Sequence, residues 1–295
     1  MAAKELTRGQ IIRRGKIIRA AAQAFYKLKF RLSGRATGEE RFLVTDVGRV
    51  RTLCYGFEDA SVKPVVFDMH GGGFILMSAD VDERFCTAFV NGVGCKVISV
   101  DYAKAPEYPF PAAVNEVYAV VKHVVEHADE YGVDPNKMAI GGHSAGGNLA
   151  AVTALKSAKA REFAFRCQVL DYPPLDLATS PYDKPNPKGG VSPRMATVFD
   201  RCYIADPADA RNPYVSPVYA SADDLRCLPP ALVIAPGKDS LHDEAVKYAA
   251  MLRDAGVETE LHEFPEEAHG FTYRPRPASE EALRLMVDFL KKHLH

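Results

Sequence analysis

No apolar run in this chain approaches the roughly 18 to 20 residues that a membrane-spanning helix needs. The N-terminal region is basic, but Ile11-Ile12 and Ile17-Ile18 are interrupted by Arg13, Arg14 and Lys16. It therefore lacks the unbroken apolar stretch of about 7 to 15 residues that marks a secretory signal. The six cysteines (Cys54, Cys86, Cys95, Cys167, Cys202, Cys227) are scattered and form no C-x-x-C pair. They read as reduced thiols rather than as a disulfide framework. A charge excess is missing too: the formal net charge is -1, which gives no support for a nucleic-acid or strongly acidic partner. There is no internal repeat and no low-complexity segment. These absences leave a cytoplasmic globular protein as the expectation. With 295 residues, 47% of them apolar, the chain can bury a sizeable core as one large domain or two small ones.

From about Phe42 to Phe271 the patterning alternates. Pro64–His70, Cys95–Tyr102, Lys137–Ile140, Arg166–Asp171, Ala231–Ala235 and Val257–Phe264 are short segments that carry apolar and β-branched residues. Helical spacing falls between and after them, over Val81–Asn91, Ala112–Tyr131, Gly146–Lys159, Asp243–Ala255 and Ser279–His293. Near-continuous apolar strands alternating with helices predict an α/β fold with a mostly parallel sheet covered on both faces.

Two regions stand apart. Residues 1 to about 31 carry nine basic side chains and a single acid, Glu5, and Ile11, Ile18, Ala22 and Phe25 recur at near-helical spacing. This predicts an amphipathic helix, which either covers an active site with its apolar stripe or lies on an anionic membrane surface. Between about Leu175 and Leu228 the alternation fails in a stretch rich in Pro, Asp, Ser and Tyr. A long irregular insertion inside a domain is usually functional, for instance a lid.

The chemistry is concentrated in Gly142-His143-Ser144-Ala145-Gly146. This G-x-S-x-G pattern lies between a predicted strand and a predicted helix, the setting of a nucleophile elbow, where Gly142 and Gly146 keep side chains away from a sharp bend. Serine is a poor nucleophile at neutral pH and needs a histidine base oriented by a carboxylate. In the elbow architecture the chain order is Ser, then acid, then His. Asp239, just beyond the strand Ala231–Ala235, is the candidate acid; its rivals Asp243 and Glu244 fall where the next helix starts. His269, in the loop Glu266–Phe271, is the candidate base, whereas His262 lies within a strand and His242 before a helix. His70-Gly71-Gly72-Gly73-Phe74 follows a buried strand and matches the H-G-G-G oxyanion loop. Gly72, Gly73 and Ala145 are the candidate N–H donors, with His70 and Gly71 shaping the turn.

These segments, together with Asp101–Ala113, Asp239–Glu244 and His269-Gly270-Phe271, occur in one order that resembles the hormone-sensitive-lipase-like esterases of the α/β-hydrolase fold. The resemblance runs from about residue 64 to the C-terminus. It implies a sheet of about eight strands, a mainly helical cap built from about 1–45 and about 175–225, and hydrolysis of short- to medium-chain acyl esters without a cofactor. It also implies that Asp101–Pro111 braces the oxyanion loop. Four positions depart from the family pattern: His143 stands where Asp or Glu is usual, Ala103-Lys104 where Arg-Leu is usual, and Ser240 where Pro is frequent. None removes a catalytic group, and the presence of His269 argues against a non-catalytic small-molecule receptor of this fold. Phe74, Phe199 and Tyr203 are the candidate walls of the acyl pocket. A small-molecule ester is the expected partner, and a homodimer is possible.

One motif competes. His123-Val124-Val125-Glu126-His127 spells H-x-x-E-H, an inverted zinc-protease pattern on a helix. The same serine constellation would also serve an amidase, a peptidase or a thioesterase.

Overall fold

A computed structural model of the chain describes residues 7–33 and 36–295. Helix α1 (Arg8–Ser33) precedes a hairpin of β1 (Glu39–Thr45) and β2 (Gly48–Tyr55). The chain continues through β3 (Lys63–Met69), α2 (Glu83–Val93), β4 (Lys96–Val100), α3 (Ala112–Glu126), α4 (Ala128–Tyr131) and β5 (Val133–His143). Then come α5 (Ala145–Ala160), β6 (Cys167–Asp171), α6 (Pro193–Tyr203), α7 (Ala222–Leu225), β7 (Ala231–Lys238), α8 (His242–Asp254), β8 (Thr259–Ala268) and α9 (Pro277–Leu294).

Among the described residues the strands form a single eight-stranded sheet in the order β1-β2-β4-β3-β5-β6-β7-β8. The pairs β1–β2 and β2–β4 are antiparallel, and every pair from β4–β3 onward is parallel. The strand period of two divides the core between the sheet's faces. Val65, Phe67, Met138 and Ile140 pack with α3, α5 and α8, whereas Val66 and Ala139 pack with α2 and α9. Covered on both sides, the central strands need no polar face, which is why they read as apolar runs.

The hairpin at the sheet's edge is where the sequence was least readable. β1 has one buried position, Leu43, among exposed and half-exposed ones and carries Glu39, Glu40 and Arg41, so its apolar signal is weak. Since β1 pairs with β2 from Glu39 onward, Glu39–Thr45, expected to fall in the cap, belong to the sheet. The single helix expected over Ala112–Tyr131 is split at His127, whose backbone (φ -119, ψ 30) departs from helical geometry.

The insertion after β6 is held by side chains. Asn148 Nδ2 donates to the carbonyls of Pro174 (2.7 Å) and Val215 (2.9 Å). Lys184 Nζ bridges Glu244 on α8 (2.5 Å) and the Asp176 carbonyl (2.6 Å). Helix α6 lies under α1, where Gly15 permits close approach: a Cβ there would stand 2.6 Å from Cys202 Sγ. Arg19 of α1 pairs with Glu107 at 2.5 Å. The apolar stripe read from the sequence is only partly covered, because Ile11 is 2% exposed but Phe25 is 63% exposed. Among the described residues no helix is long and apolar enough to cross a membrane.

Candidate active site

Strand β5 ends at His143 and α5 begins at Ala145, leaving Ser144 alone in the bend with φ 52 and ψ -119. A non-glycine residue in that region costs roughly 1–3 kcal/mol and persists only where its surroundings impose it. Here the surroundings are backbone. A Cβ at Gly146 would lie 1.9 Å from the Met69 carbonyl oxygen, and one at Gly142 would lie 2.5 Å from the Gly146 carbonyl carbon. Ser144 N–H donates to the Asp171 carbonyl at 2.8 Å, pinning the bend to β6.

Asp239 follows β7, and the loop carrying His269 follows the neighbouring strand β8. Ser144 Oγ lies 2.9 Å from His269 Nε2, and His269 Nδ1 lies 2.7 Å from Asp239 Oδ2. A carboxylate can only accept, so the geometry assigns the proton to Nδ1 and leaves Nε2 free to accept from the serine. Asp239 is 1% exposed, and its Oδ1 accepts from Leu241 N–H at 3.3 Å. The rival groups point elsewhere. His242 bonds Asp243 and Glu263, His262 lies 3.6 Å from Glu260, and Glu244 is committed to Lys184.

Beyond β3, Gly72 and Gly73 take φ values of 118 and 58 that exclude other residues without strain. Among the described residues neither N–H has a protein acceptor. Ala145 opens α5, where N–H groups have no intrahelical partner. Gly71 differs: its N–H donates to Tyr273 Oη at 3.1 Å, so it shapes the turn rather than offering a donor. His70 is fully buried, stacks on Tyr102 with ring centroids 4.2 Å apart, and bonds the Gly71 carbonyl through Nδ1 at 2.7 Å. Burial lowers its pKa, Lys104 adds to that, and Asp101 opposes both. Tyr102 Oη donates to the His70 carbonyl at 2.8 Å, and Ala105 N–H donates to the Phe74 carbonyl at 3.1 Å. The stretch from Asp101 is therefore bonded to the loop at both ends. The unusual Lys104 pairs with Asp101, and the unusual Ser240 donates to the Val191 carbonyl at 3.1 Å, joining the acid loop to the insertion.

His143 sits behind the serine in a buried polar cluster that the sequence did not reveal. Its Nδ1–H donates to Asp171 Oδ2 at 2.7 Å, and its Nε2 lies 3.7 Å from Asp68 Oδ1. Tyr273 Oη donates to Asp82 Oδ1 at 2.8 Å. Asp68, Asp82 and His143 are also the one group among the described residues whose ligand atoms converge, within 4.8 Å, as a metal site requires. Burial lowers the His143 pKa, but the Asp171 hydrogen bond and the charges of Asp82, Asp171 and Asp68 outweigh it and carry the group up to about 9. A folded-state pKa above the roughly 6.5 of unfolded histidine makes folding take up a proton. That stabilisation is complete below about pH 6.5 and is lost as pH rises through about 9. Asp82 is also raised, by burial first and then by Asp68, so it acts in the same direction. Melting temperature is expected to fall across this window, and His143→Gln to flatten the fall; a wild-type melting temperature that rises there would contradict the assignment.

A cavity of about 200 Å³ opens over Ser144 and His269, walled by the glycine loop, Phe74, Leu76, Pro174, Phe199, Asp200 and Leu241 among others. Phe74 and Phe199, two of the candidate pocket walls, line this cavity. Tyr203 does not. It is buried behind the wall with its ring stacked 3.8 Å from that of Phe74, because one turn of α6 separates it from the cavity-facing Phe199. Asp200 was missed, since one aspartate in a Pro- and Asp-rich stretch carries no pattern. The His123 and His127 rings of the H-x-x-E-H motif stack 4.3 Å apart, and His127 Nδ1–H donates to the His123 carbonyl at 2.7 Å. Among the described residues no third histidine, cysteine or carboxylate joins them at metal-ligand spacing.

The α/β hydrolase fold family model matches residues 66–273. The esterase LipI of Mycobacterium tuberculosis is 32% identical over 246 residues, covering 80% of this chain and 75% of that protein. An ethyl acetate hydrolase of Pseudomonas putida is 33% identical over 231 residues, covering 77% of this chain and 72% of its own. Among solved structures, a hyperthermophilic esterase from Pyrobaculum calidifontis superposes with a TM-score of 0.85 at 34% identity, over 94% of this chain and 93% of that one.

Proposed function

That the chain belongs to the hormone-sensitive-lipase-like esterase family of α/β-hydrolases is the premise from which we propose that Ser144, His269 and Asp239 carry its chemistry, with Gly72, Gly73 and Ala145 as oxyanion donors. The chain is a carboxylic ester hydrolase. The observation that carries the finer reading is the relay from Ser144 Oγ to His269 Nε2 (2.9 Å) and from His269 Nδ1 to Asp239 Oδ2 (2.7 Å).

His269 accepts the serine proton as Oγ attacks the ester carbonyl, and Asp239 stabilises the imidazolium that forms. The carbonyl oxygen turns toward the N–H groups of Gly72, Gly73 and Ala145, each such donor contributing about 3 to 4 kcal/mol to the transition state. The imidazolium returns its proton to the departing alcohol. Water then attacks the acyl-enzyme through the same base, releasing the acid and restoring Ser144. Every proton in this cycle has an owner within the triad, so no cofactor enters it.

The cap in this reading is α1 with the insertion of about residues 175–225, and it limits the space above the serine. A cavity of about 200 Å³ is smaller than the roughly 300–1,000 Å³ typical of pockets for drug-sized ligands. Short- to medium-chain acyl esters follow, in keeping with the ethyl acetate hydrolase among its relatives. Across p-nitrophenyl esters from acetate to palmitate, kcat/KM is expected to fall steeply beyond about eight acyl carbons and to be indifferent to a zinc chelator. A maximum at about sixteen carbons would overturn the chain-length assignment. Activity lost to the chelator and restored by zinc would overturn the serine mechanism.

A further inference from the structure

The cavity wall holds one group that the hydrolytic cycle does not use. Among the described residues lining the cavity, Asp200 is the only carboxylate, set on α6 beside Phe199 and facing the same space as Ser144 and His269. Its neighbours there are the glycine loop and apolar side chains such as Leu76, Ala196 and Leu241. Its carboxylate oxygens have no hydrogen-bond or ion-pair partner among the described residues. Lys184, the cation whose charge acts on it, is committed to Glu244 and to the Asp176 carbonyl. A charge in an apolar wall is costly until a partner arrives, and a bound molecule can be that partner.

We propose that Asp200 is a specificity-determining residue that binds a protonated amine on the substrate, so that the enzyme prefers esters bearing a basic nitrogen. The inference rests on the esterase reading above. The groups around Asp200 favour a cation: Glu244 and Asp176 are acidic, and the one lysine is already neutralised. Enclosure by protein pushes the Asp200 carboxyl up to about 7, against the attraction of Lys184 and helped by Glu244 and Asp176. With an apolar substrate the carboxyl must either take up a proton or stay unpaired. With an ammonium it gains a charged hydrogen bond. Sites built to pair a polar group discriminate strongly against analogues lacking it, because their own polar atom is stranded.

Two isosteric pairs test this by pH-stat at about pH 8, where a tertiary amine is protonated. On the acyl side, ethyl 4-(dimethylamino)butanoate is compared with ethyl 5-methylhexanoate. On the alcohol side, 3-(dimethylamino)propyl acetate is compared with 4-methylpentyl acetate. In one pair, kcat/KM for the amine is expected to exceed that for its hydrocarbon twin by roughly 10- to 100-fold, the range of a charged hydrogen bond. Asp200→Asn is expected to collapse that ratio toward unity, and Asp200→Leu to invert it, with melting temperatures confirming that both variants fold. Amine esters no faster than their twins in the wild type, or a ratio untouched in Asp200→Asn, would overturn the proposal. Failure of the wild type to hydrolyse any of the four esters would instead overturn the underlying esterase reading, and this proposal with it.

Discussion

Ser144→Ala is expected to lower kcat for p-nitrophenyl acetate by roughly 10,000- to 1,000,000-fold while leaving the fold intact. The size of the effect follows from what is lost and what remains. Removing Oγ leaves His269 and Asp239 bonded to each other at 2.7 Å, but without an atom to deprotonate. In the proposed mechanism the glycine loop and the Ala145 N–H still receive a carbonyl oxygen, so a residual rate above that in water is expected. Stability should change little, because alanine keeps the Cβ and the bend is fixed by backbone: the Ser144 N–H bond to Asp171 at 2.8 Å does not involve the side chain. The check is a progress curve at enzyme concentrations high enough to exclude trace wild type, run beside a thermal melt. A loss below about tenfold would place the nucleophile elsewhere.

Gly146→Ala should act on the same element through the fold. The added methyl would lie 1.9 Å from the Met69 carbonyl oxygen and 2.6 Å from that of His70, both backbone atoms. Neither can move aside as a flexible side chain would. Strand β3 is locked between β4 and β5, so α5 must be pushed away, carrying Ser144 with it. Clashes of this kind against a close-packed interior cost roughly 3–5 kcal/mol. For a chain of this size that corresponds to a drop in melting temperature of roughly 6 to 20 °C. Activity should fall as well, even at temperatures where the variant remains folded, because serine and histidine separate. A melt within about 2 °C of wild type would show that the elbow tolerates a gap the geometry denies.

The sequence was most informative where chemistry and backbone geometry demand the same residue. The glycines around Ser144 and in the His70–Gly73 loop are required sterically, so they announce the elbow and the loop. Asp239 and His269 stand directly after β7 and β8, which are neighbours in the sheet, so the two side chains meet. What stayed hidden depends on long-range assembly. The partners of His143 are Asp68, Asp82 and Asp171, which come together only when β3, β5 and β6 align and the start of α2 packs beside them. In the β1–β2 hairpin the buried Leu43, Val50 and Leu53 are interleaved with Glu39, Glu40, Arg41, Arg49 and Arg51, which breaks up the apolar run that marks the central strands. Tyr203 and Asp200 lie on one short helix, and only where that helix sits along the cavity decides that the aspartate lines it while the tyrosine packs on Phe74.

Helix α1 holds no group used in hydrolysis, yet it rests on α6 through Gly15 and Cys202, and α6 carries Phe199 and Asp200. Drift in α1 can therefore shift the position of the pocket wall without touching the reaction machinery. Such a segment gives evolution a place to explore new esters cheaply, since a poor variant changes preference before it ends catalysis. The same coupling makes α1 the first region to randomise in a directed search for altered selectivity.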